Sequence, residues 1–157
     1  MADNVQSKQG GARVRVPPPL VFLAAIIVGA LLPGLRLSLG RNLRVAAGAL
    51  LISAGLSLGL SAIRLFRKTG QDPKPWQPTP ELIFDGPYLH TRNPMYVSMT
   101  LLTLAASVLS LRGWIAGLAP VALLVVHYTA VLREEAYLAD KFGEPYLAYK
   151  AKVQRYL

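Results

Sequence analysis

Four apolar runs dominate this sequence and restrict what it can fold into. They cover residues 20–39, 43–65, 94–111 and 114–132. A helix of roughly 17 to 25 residues crosses the hydrocarbon core of a bilayer, because each residue adds about 1.5 Å to a core about 30 Å thick. All four runs meet or nearly meet that length. The sequence therefore predicts an all-α, polytopic membrane protein with about four transmembrane helices.

The composition agrees with one small membrane domain. Of the 157 residues, 53% are hydrophobic and 16% are charged, which is too apolar for an ordinary soluble domain. The net charge of +9 comes from residues that flank the apolar runs, so we expect lipid headgroups as the partner and no nucleic acid. There is no cysteine to act as a nucleophile or metal ligand, and we predict no metal site. We expect a disordered basic N-terminus over residues 1–16 and a single domain over residues 17–157.

The basic residues also orient the predicted helices. With a cytoplasmic N-terminus, thirteen of the seventeen Lys and Arg residues lie on the inner side, and four lie outside. This asymmetry follows the positive-inside rule. We therefore expect both termini, the loop of residues 66–93 and any chemistry at the cytoplasmic face. Gly55 and Gly59 have the spacing that lets helices approach closely in membranes, and we expect them to serve packing.

The segment FDGPYLHTRNPMY precedes the third apolar run and has the marks of a turn followed by a helix start. Gly86 can adopt a positive φ, Asn93 is a good N-cap, and Pro94 suits the first helical turn. Arg92 allows two interpretations. It can bind an anion together with the free N–H groups of the helix start, or it can reach a lipid phosphate from the interface.

A second polar segment follows the fourth run. Glu134 and Glu135 are expected at the border where the antiparallel third helix begins. Adjacent helical residues point about 100° apart, so one carboxylate can face the bundle while the other meets water or a cation such as Arg133. Gly143 is the predicted end of this helix, and Pro145 opens a short basic one.

The last predicted helix has three tyrosines and a valine at intervals of three and four, namely Tyr146, Tyr149, Val153 and Tyr156. This spacing is typical of an amphipathic helix on the membrane surface, and we interpret the tyrosines as an interfacial anchor.

Two of these segments together carry a resemblance to a known family. They read LIFDGPYLHTRNPMY and, some 40 residues later, REEAYLADKFGEPYLAYKAKV. In this combination the chain resembles the integral-membrane methyltransferases that include isoprenylcysteine carboxyl methyltransferases and phospholipid N-methyltransferases. The similarity covers roughly residues 81–153, and a catalytic core over residues 80–153 is what it implies.

The resemblance implies that S-adenosylmethionine binds at the cytoplasmic edge of the membrane. Arg92 and Glu134 would be the catalytic pair. The cofactor contacts that it implies are Leu82, Ile83, Tyr88, Arg92, Asn93, Pro94, Met95, Tyr96, Glu134 and Glu135. Many family members have His where this chain has Asn93, and Asn cannot carry a proton near neutral pH.

We expect a lipophilic acceptor, in first place a carboxylate of the isoprenylcysteine type and, as the alternative, a phospholipid or other lipid amine; the sequence does not identify the acceptor further. A lipophilic carboxylate, as in the isoprenylcysteine enzymes, is already an anionic nucleophile at neutral pH, whereas a lipid amine must first lose a proton. His127, deep in the fourth helix, and Arg133 are candidate substrate contacts. Two other classes stay open. One is a non-enzymatic membrane protein that keeps the fold, and the less favoured one is a transport or channel subunit, which would need more charge within the membrane.

Overall fold

The structure is a computed structural model that describes residues 12, 14, 16–70, 72, 77 and 79–156. The described residues form helices and no β-strand, as the sequence predicts. The α-helices, in chain order, are α1 (Pro18–Leu31), α2 (Arg41–Lys68), α3 (Pro94–Ser110), α4 (Gly113–Val126), α5 (Leu132–Phe142) and α6 (Glu144–Lys152). A 3-10 helix over Gly86–Leu89 precedes α3, and a π-helical segment over His127–Val131 joins α4 to α5.

Two of these helices are long and apolar enough to cross a membrane. One is α2, with 28 residues, and the other is the continuous helix Gly113–Phe142, with 30 residues. Helices α1 and α3 are apolar but shorter, at 14 and 17 residues. Membrane character is therefore supported, whereas the count of four spans stays a prediction.

The first helix ends earlier than the sequence predicts. The apolar run continues to residue 39, but α1 stops at Leu31 and Leu32 is already extended. Pro33 explains this end, because a residue before proline is driven out of the α region. The chain then pairs with the start of α4, where the Gly113 N–H donates to the Leu35 carbonyl at 3.0 Å.

Small residues allow the helices to approach closely. A Cβ added to Gly59 would lie 2.5 Å from the Ser98 hydroxyl of α3, and one added to Gly29 would lie 2.7 Å from the Ile115 backbone of α4. The Ser98 hydroxyl also donates to the Gly55 carbonyl at 2.7 Å. The predicted packing role of Gly55 and Gly59 is thus confirmed, with α3 as the partner of α2.

The N-terminal prediction falls mostly outside the described residues. Of residues 1–16, the structure describes only Ala12, Val14 and Val16. Ala12 and Val14 are buried, and they belong to a core cluster with Phe22 and Val126.

The chain after α6 lies against the loop that precedes α3. The Arg92 N–H donates to the Gln154 carbonyl at 2.9 Å, and the Thr91 hydroxyl donates to the Arg155 carbonyl at 3.1 Å. The expectation that this loop and the C-terminal segment share one end of the molecule is confirmed. Which side of a membrane they face stays a prediction.

Candidate functional site

A cleft that is partly open to solvent lies where α3, α5, α6 and the preceding loop meet. The structure places along it all ten residues that the sequence nominates for cofactor binding, namely Leu82, Ile83, Tyr88, Arg92, Asn93, Pro94, Met95, Tyr96, Glu134 and Glu135.

The cleft also has walls that the sequence did not nominate. They come from the N-terminal segment, from α2, α5 and α6, and from the long loop between α2 and α3. They are Ala12, Phe66, Asp72, Thr79, Glu81, Tyr137, Leu138, Tyr146 and Tyr149. Together with Glu134 and Glu135, Asp72 and Glu81 give the lining four carboxylates. The lining therefore offers carboxylates for a cationic group beside the cation of Arg92.

Glu134 is bound to the first turn of α3. The Tyr96 hydroxyl donates to its Oε1 atom at 2.5 Å, and Tyr96 is buried. A hydrogen bond from a hydroxyl to a carboxylate is among the stronger ones in proteins, so it fixes the position of the carboxylate in the cleft.

Glu135 lies at the centre of a charge cluster. Arg155 donates to both of its oxygens, from Nε at 2.7 Å and from Nη2 at 2.9 Å. Arg92 Nη1 is 2.9 Å from Oε1, and Lys150 Nζ is 3.4 Å from Oε2. The expectation that the outer carboxylate meets water or a cation is confirmed for a cation, because Glu135 is 6% exposed and pairs with these three residues. The cation that the sequence suggested, Arg133, is not one of the three. Three cations around one carboxylate leave the cluster with excess positive charge.

Arg92 is the buried cation of this cluster that lines the cleft. Its side chain is 9% exposed. Within the described part of the chain, its Nε and Nη1 atoms are buried without a hydrogen-bond acceptor. The close approach of Nη1 to Glu135 is thus a charge contact without hydrogen-bond alignment. A buried donor without an acceptor costs about 1–3 kcal/mol. An anionic group of a ligand would remove that cost.

Asn93 occupies the N-cap position of α3 but does not cap the helix with its side chain. Its Nδ2 atom instead donates to the Arg155 carbonyl at 3.0 Å, so the predicted capping hydrogen bond is wrong. The backbone carbonyl of Asn93 still accepts from the N–H groups of Tyr96 and Val97 at 3.1 Å. The side chain therefore holds the C-terminal segment to the site.

The tyrosines of α6 point into the protein, so their interpretation as an interfacial anchor is wrong. Tyr146 is 2% exposed, and the Tyr149 hydroxyl donates to the Tyr88 carbonyl at 2.7 Å. A hydroxyl that donates to the protein backbone in this way is not directed at lipid headgroups or interfacial water. Burial raises the pKa of Tyr88, and it raises the pKa of Tyr149 to about 12 against the opposing charge of Arg92. Both hydroxyls therefore stay protonated at neutral pH.

The two candidate substrate contacts lie away from this cleft. His127 Nδ1 is 3.0 Å from the Tyr156 hydroxyl, in a separate shallow groove with Leu124 and Tyr128. Arg133 is exposed on the helix that carries the Glu pair. Neither residue lines the cleft.

Comparison with known proteins adds to this geometry. The sequence profile of the phospholipid methyltransferase family matches residues 43–145, well over half of the chain. The chain is also 44% identical over 64 residues to an uncharacterized protein of Haemophilus influenzae, a match that covers 40% of this chain and 100% of that protein. No solved structure matches the chain.

Proposed function

This chain belongs to the phospholipid methyltransferase family of integral-membrane methyltransferases, and we propose that it binds S-adenosylmethionine in the cleft and methylates a lipophilic acceptor. The matched region of residues 43–145 contains α3, the Glu pair and the loop that lines the cleft. A methyltransferase with apolar helices of this kind acts at a membrane. The bilayer is therefore its expected partner.

The observation that carries the proposal is Arg92, a residue that has buried, unpaired guanidinium donors and lines the same cleft as four carboxylates. S-adenosylmethionine has a carboxylate, an ammonium and a sulfonium, and so needs both kinds of group. Arg92 would hold the carboxylate, and Glu134, fixed by Tyr96, would attract the cationic part. Phe66, Tyr88 and Tyr149 supply aromatic surface for an adenine ring.

When bound, this cofactor supplies an electrophilic methyl group on its sulfonium. The chain's own residues bind and orient it and keep water away from the reacting atoms. Glu134 can stabilise positive charge beside the acceptor, and Leu82 and Ile83 add apolar surface to the cleft.

We place a lipophilic carboxylate, of the isoprenylcysteine type, first as the acceptor. A carboxylate is already anionic at neutral pH and needs no base, and Tyr88 and Tyr149 remain protonated. A phospholipid amine is the alternative acceptor, and Glu134 is the carboxylate that could accept its proton. His127 and Arg133 stay candidates for contact with a lipid acceptor outside the cleft.

Binding of S-adenosylhomocysteine to the detergent-solubilised protein tests the cofactor assignment. Wild-type protein should give a saturable calorimetric signal. Arg92→Lys should lower the affinity about tenfold or more, because lysine keeps the charge but loses the planar fork that grips a carboxylate. Arg64→Lys changes an exposed arginine of α2 outside the cleft and should leave the affinity unchanged. Absence of binding by the wild-type protein would overturn the proposal.

Methyl transfer from labelled cofactor to extracted membrane lipids then tests the acceptor. Mild alkali releases labelled methanol from a methyl ester but leaves a methylamine intact. Alkali-labile label would support a carboxylate acceptor. Alkali-stable label in a phospholipid would support the amine alternative.

A further inference from the structure

We propose that Arg155 is a positioning residue that keeps Arg92 available to an anionic ligand by occupying Glu135. The inference rests on the proposed function, because it concerns how the cleft recognises the carboxylate of its cofactor. Arg155 does not line the cleft and lies outside the motifs that the sequence singled out.

Arg155 takes the better hydrogen bonds of Glu135. Its Nε and Nη2 atoms donate to the two carboxylate oxygens at 2.7 and 2.9 Å, which is the paired geometry that arginine and carboxylate favour. Arg92 is left with a charge contact at 2.9 Å from Oε1, and its Nε and Nη1 have no acceptor in the described residues. The two arginines therefore compete for one carboxylate.

The two arginines differ in how deeply their side chains are buried. The Arg155 side chain is 32% exposed, whereas that of Arg92 is 9% exposed. Without Arg155, Glu135 would be the nearest acceptor for the unpaired donors of Arg92, and a buried arginine with unpaired donors would be expected to close onto it. Arg92 would then no longer be available to bind a ligand in the cleft.

The backbone holds Arg155 in place independently of its side chain. The Arg155 carbonyl accepts from the Thr91 hydroxyl and from Asn93 Nδ2, on either side of Arg92. The Gln154 carbonyl accepts from the Arg92 N–H. A side-chain substitution at Arg155 therefore leaves these hydrogen bonds available and tests the guanidinium alone.

The test compares S-adenosylhomocysteine with its decarboxylated analogue, which keeps the amine but lacks the carboxylate. Arg155→Gln should weaken the first ligand about tenfold to a hundredfold, the range expected for a lost charged hydrogen bond, and the second less than about threefold. Lys152→Gln removes an exposed cation from the end of α6 and should change neither affinity.

The double variant Arg155→Gln with Glu135→Gln separates positioning from a general structural role. Removal of the competing carboxylate should return Arg92 to the cleft, so the double variant should bind S-adenosylhomocysteine more tightly than Arg155→Gln alone. If Arg155→Gln does not fold, Arg155→Lys, with and without Glu135→Gln, gives the same comparison. The expected loss of affinity for S-adenosylhomocysteine is then smaller.

Two results would overturn the positioning role of Arg155 and leave the proposed cofactor site standing. One is an unchanged preference between the two ligands in the Arg155 variants, and the other is a double variant that binds no better than the single one. If the wild-type protein binds neither ligand, the proposed cofactor site fails and the positioning role fails with it.

Discussion

Glu134 and Glu135 are neighbours in the chain and have different partners. Because their side chains leave the helix about 100° apart, Glu134 meets Tyr96 of α3 and Glu135 meets the cations of the C-terminal segment. Both line the cleft, yet only Glu135 is surrounded by three positive charges. Glu134 thus retains oxygen lone pairs that can accept hydrogen bonds from a ligand. Glu135 instead stabilises the fold through its ion pairs with the three cations.

This difference predicts separate effects of the two glutamine substitutions. Glu134→Gln should lower the affinity for S-adenosylhomocysteine about tenfold or more, with little change in thermal stability. Glu135→Gln should lower the free energy of unfolding by about 2 kcal/mol, because it leaves three cations without their counter-ion. Calorimetric binding and thermal unfolding of the same detergent-solubilised preparations give both quantities.

An Ala136→Ser variant, at an exposed position on the same helix, controls for general damage to α5. Equal losses of affinity from the two glutamine variants, without a loss of stability from Glu135→Gln, would contradict this division of roles.

Individual residues show how much of the candidate site could be predicted from the sequence. All ten nominated cofactor residues lie along one cleft, because the two motifs that carry them meet at adjacent helix ends. The sequence predicts Tyr146 and Tyr149 at the membrane surface, which is wrong, since the spacing of three and four is the same for a face turned to lipid and a face turned to protein. Asn93 and Arg155 could not be paired from sequence, because their contact spans 62 residues.

At the scale of helices, the sequence predicts the existence of the elements better than their ends and their regularity. The π-helical segment at His127–Val131 directly precedes the helix that carries the Glu pair. Each extra residue in a helical turn rotates all later side chains of the helix by about 100°, so this segment sets the direction of Glu134 and Glu135. No periodicity in an apolar run marks such a turn, which is why a regular helix was expected there.

The contact between α1 and α4 leads to a prediction about glycine. Gly29→Ala should destabilise the protein by about 1–3 kcal/mol, because the new Cβ would lie 2.7 Å from the Ile115 backbone, which cannot rotate away. Gly117→Ala is the matched control within α4. A Cβ at Gly117 has its nearest neighbour at 3.9 Å, so this change should stabilise the helix by up to about 1 kcal/mol.

Thermal unfolding in one detergent measures both variants. A stability of Gly29→Ala equal to that of the wild-type protein would show that α1 and α4 can separate without cost.

At the scale of the whole molecule, every part of the cleft gathers at one end of the helices. The C-terminal segment is held there by Thr91 and Asn93, at the start of α3, and by Glu135 on α5. S-adenosylmethionine is charged and is excluded by the hydrocarbon core of a bilayer. If the cleft binds this cofactor, as proposed, the end of the molecule that carries it should face the compartment that supplies the cofactor, and the excess of basic residues at that end predicts the cytoplasm.

Reporter fusions test this orientation. A fluorescent protein that matures only in the cytoplasm, fused through a flexible linker after residue 157, should fluoresce. Alkaline phosphatase, active only outside, should be inactive at that position and active when inserted at Gly34, an exposed turn at the opposite end, between α1 and α2. This pattern requires α1 and α3 to complete the crossing although they have only 14 and 17 residues. Phosphatase activity at the C-terminus would place the cleft outside and remove its supply of cofactor, whereas activity at neither position would show that α1 does not cross.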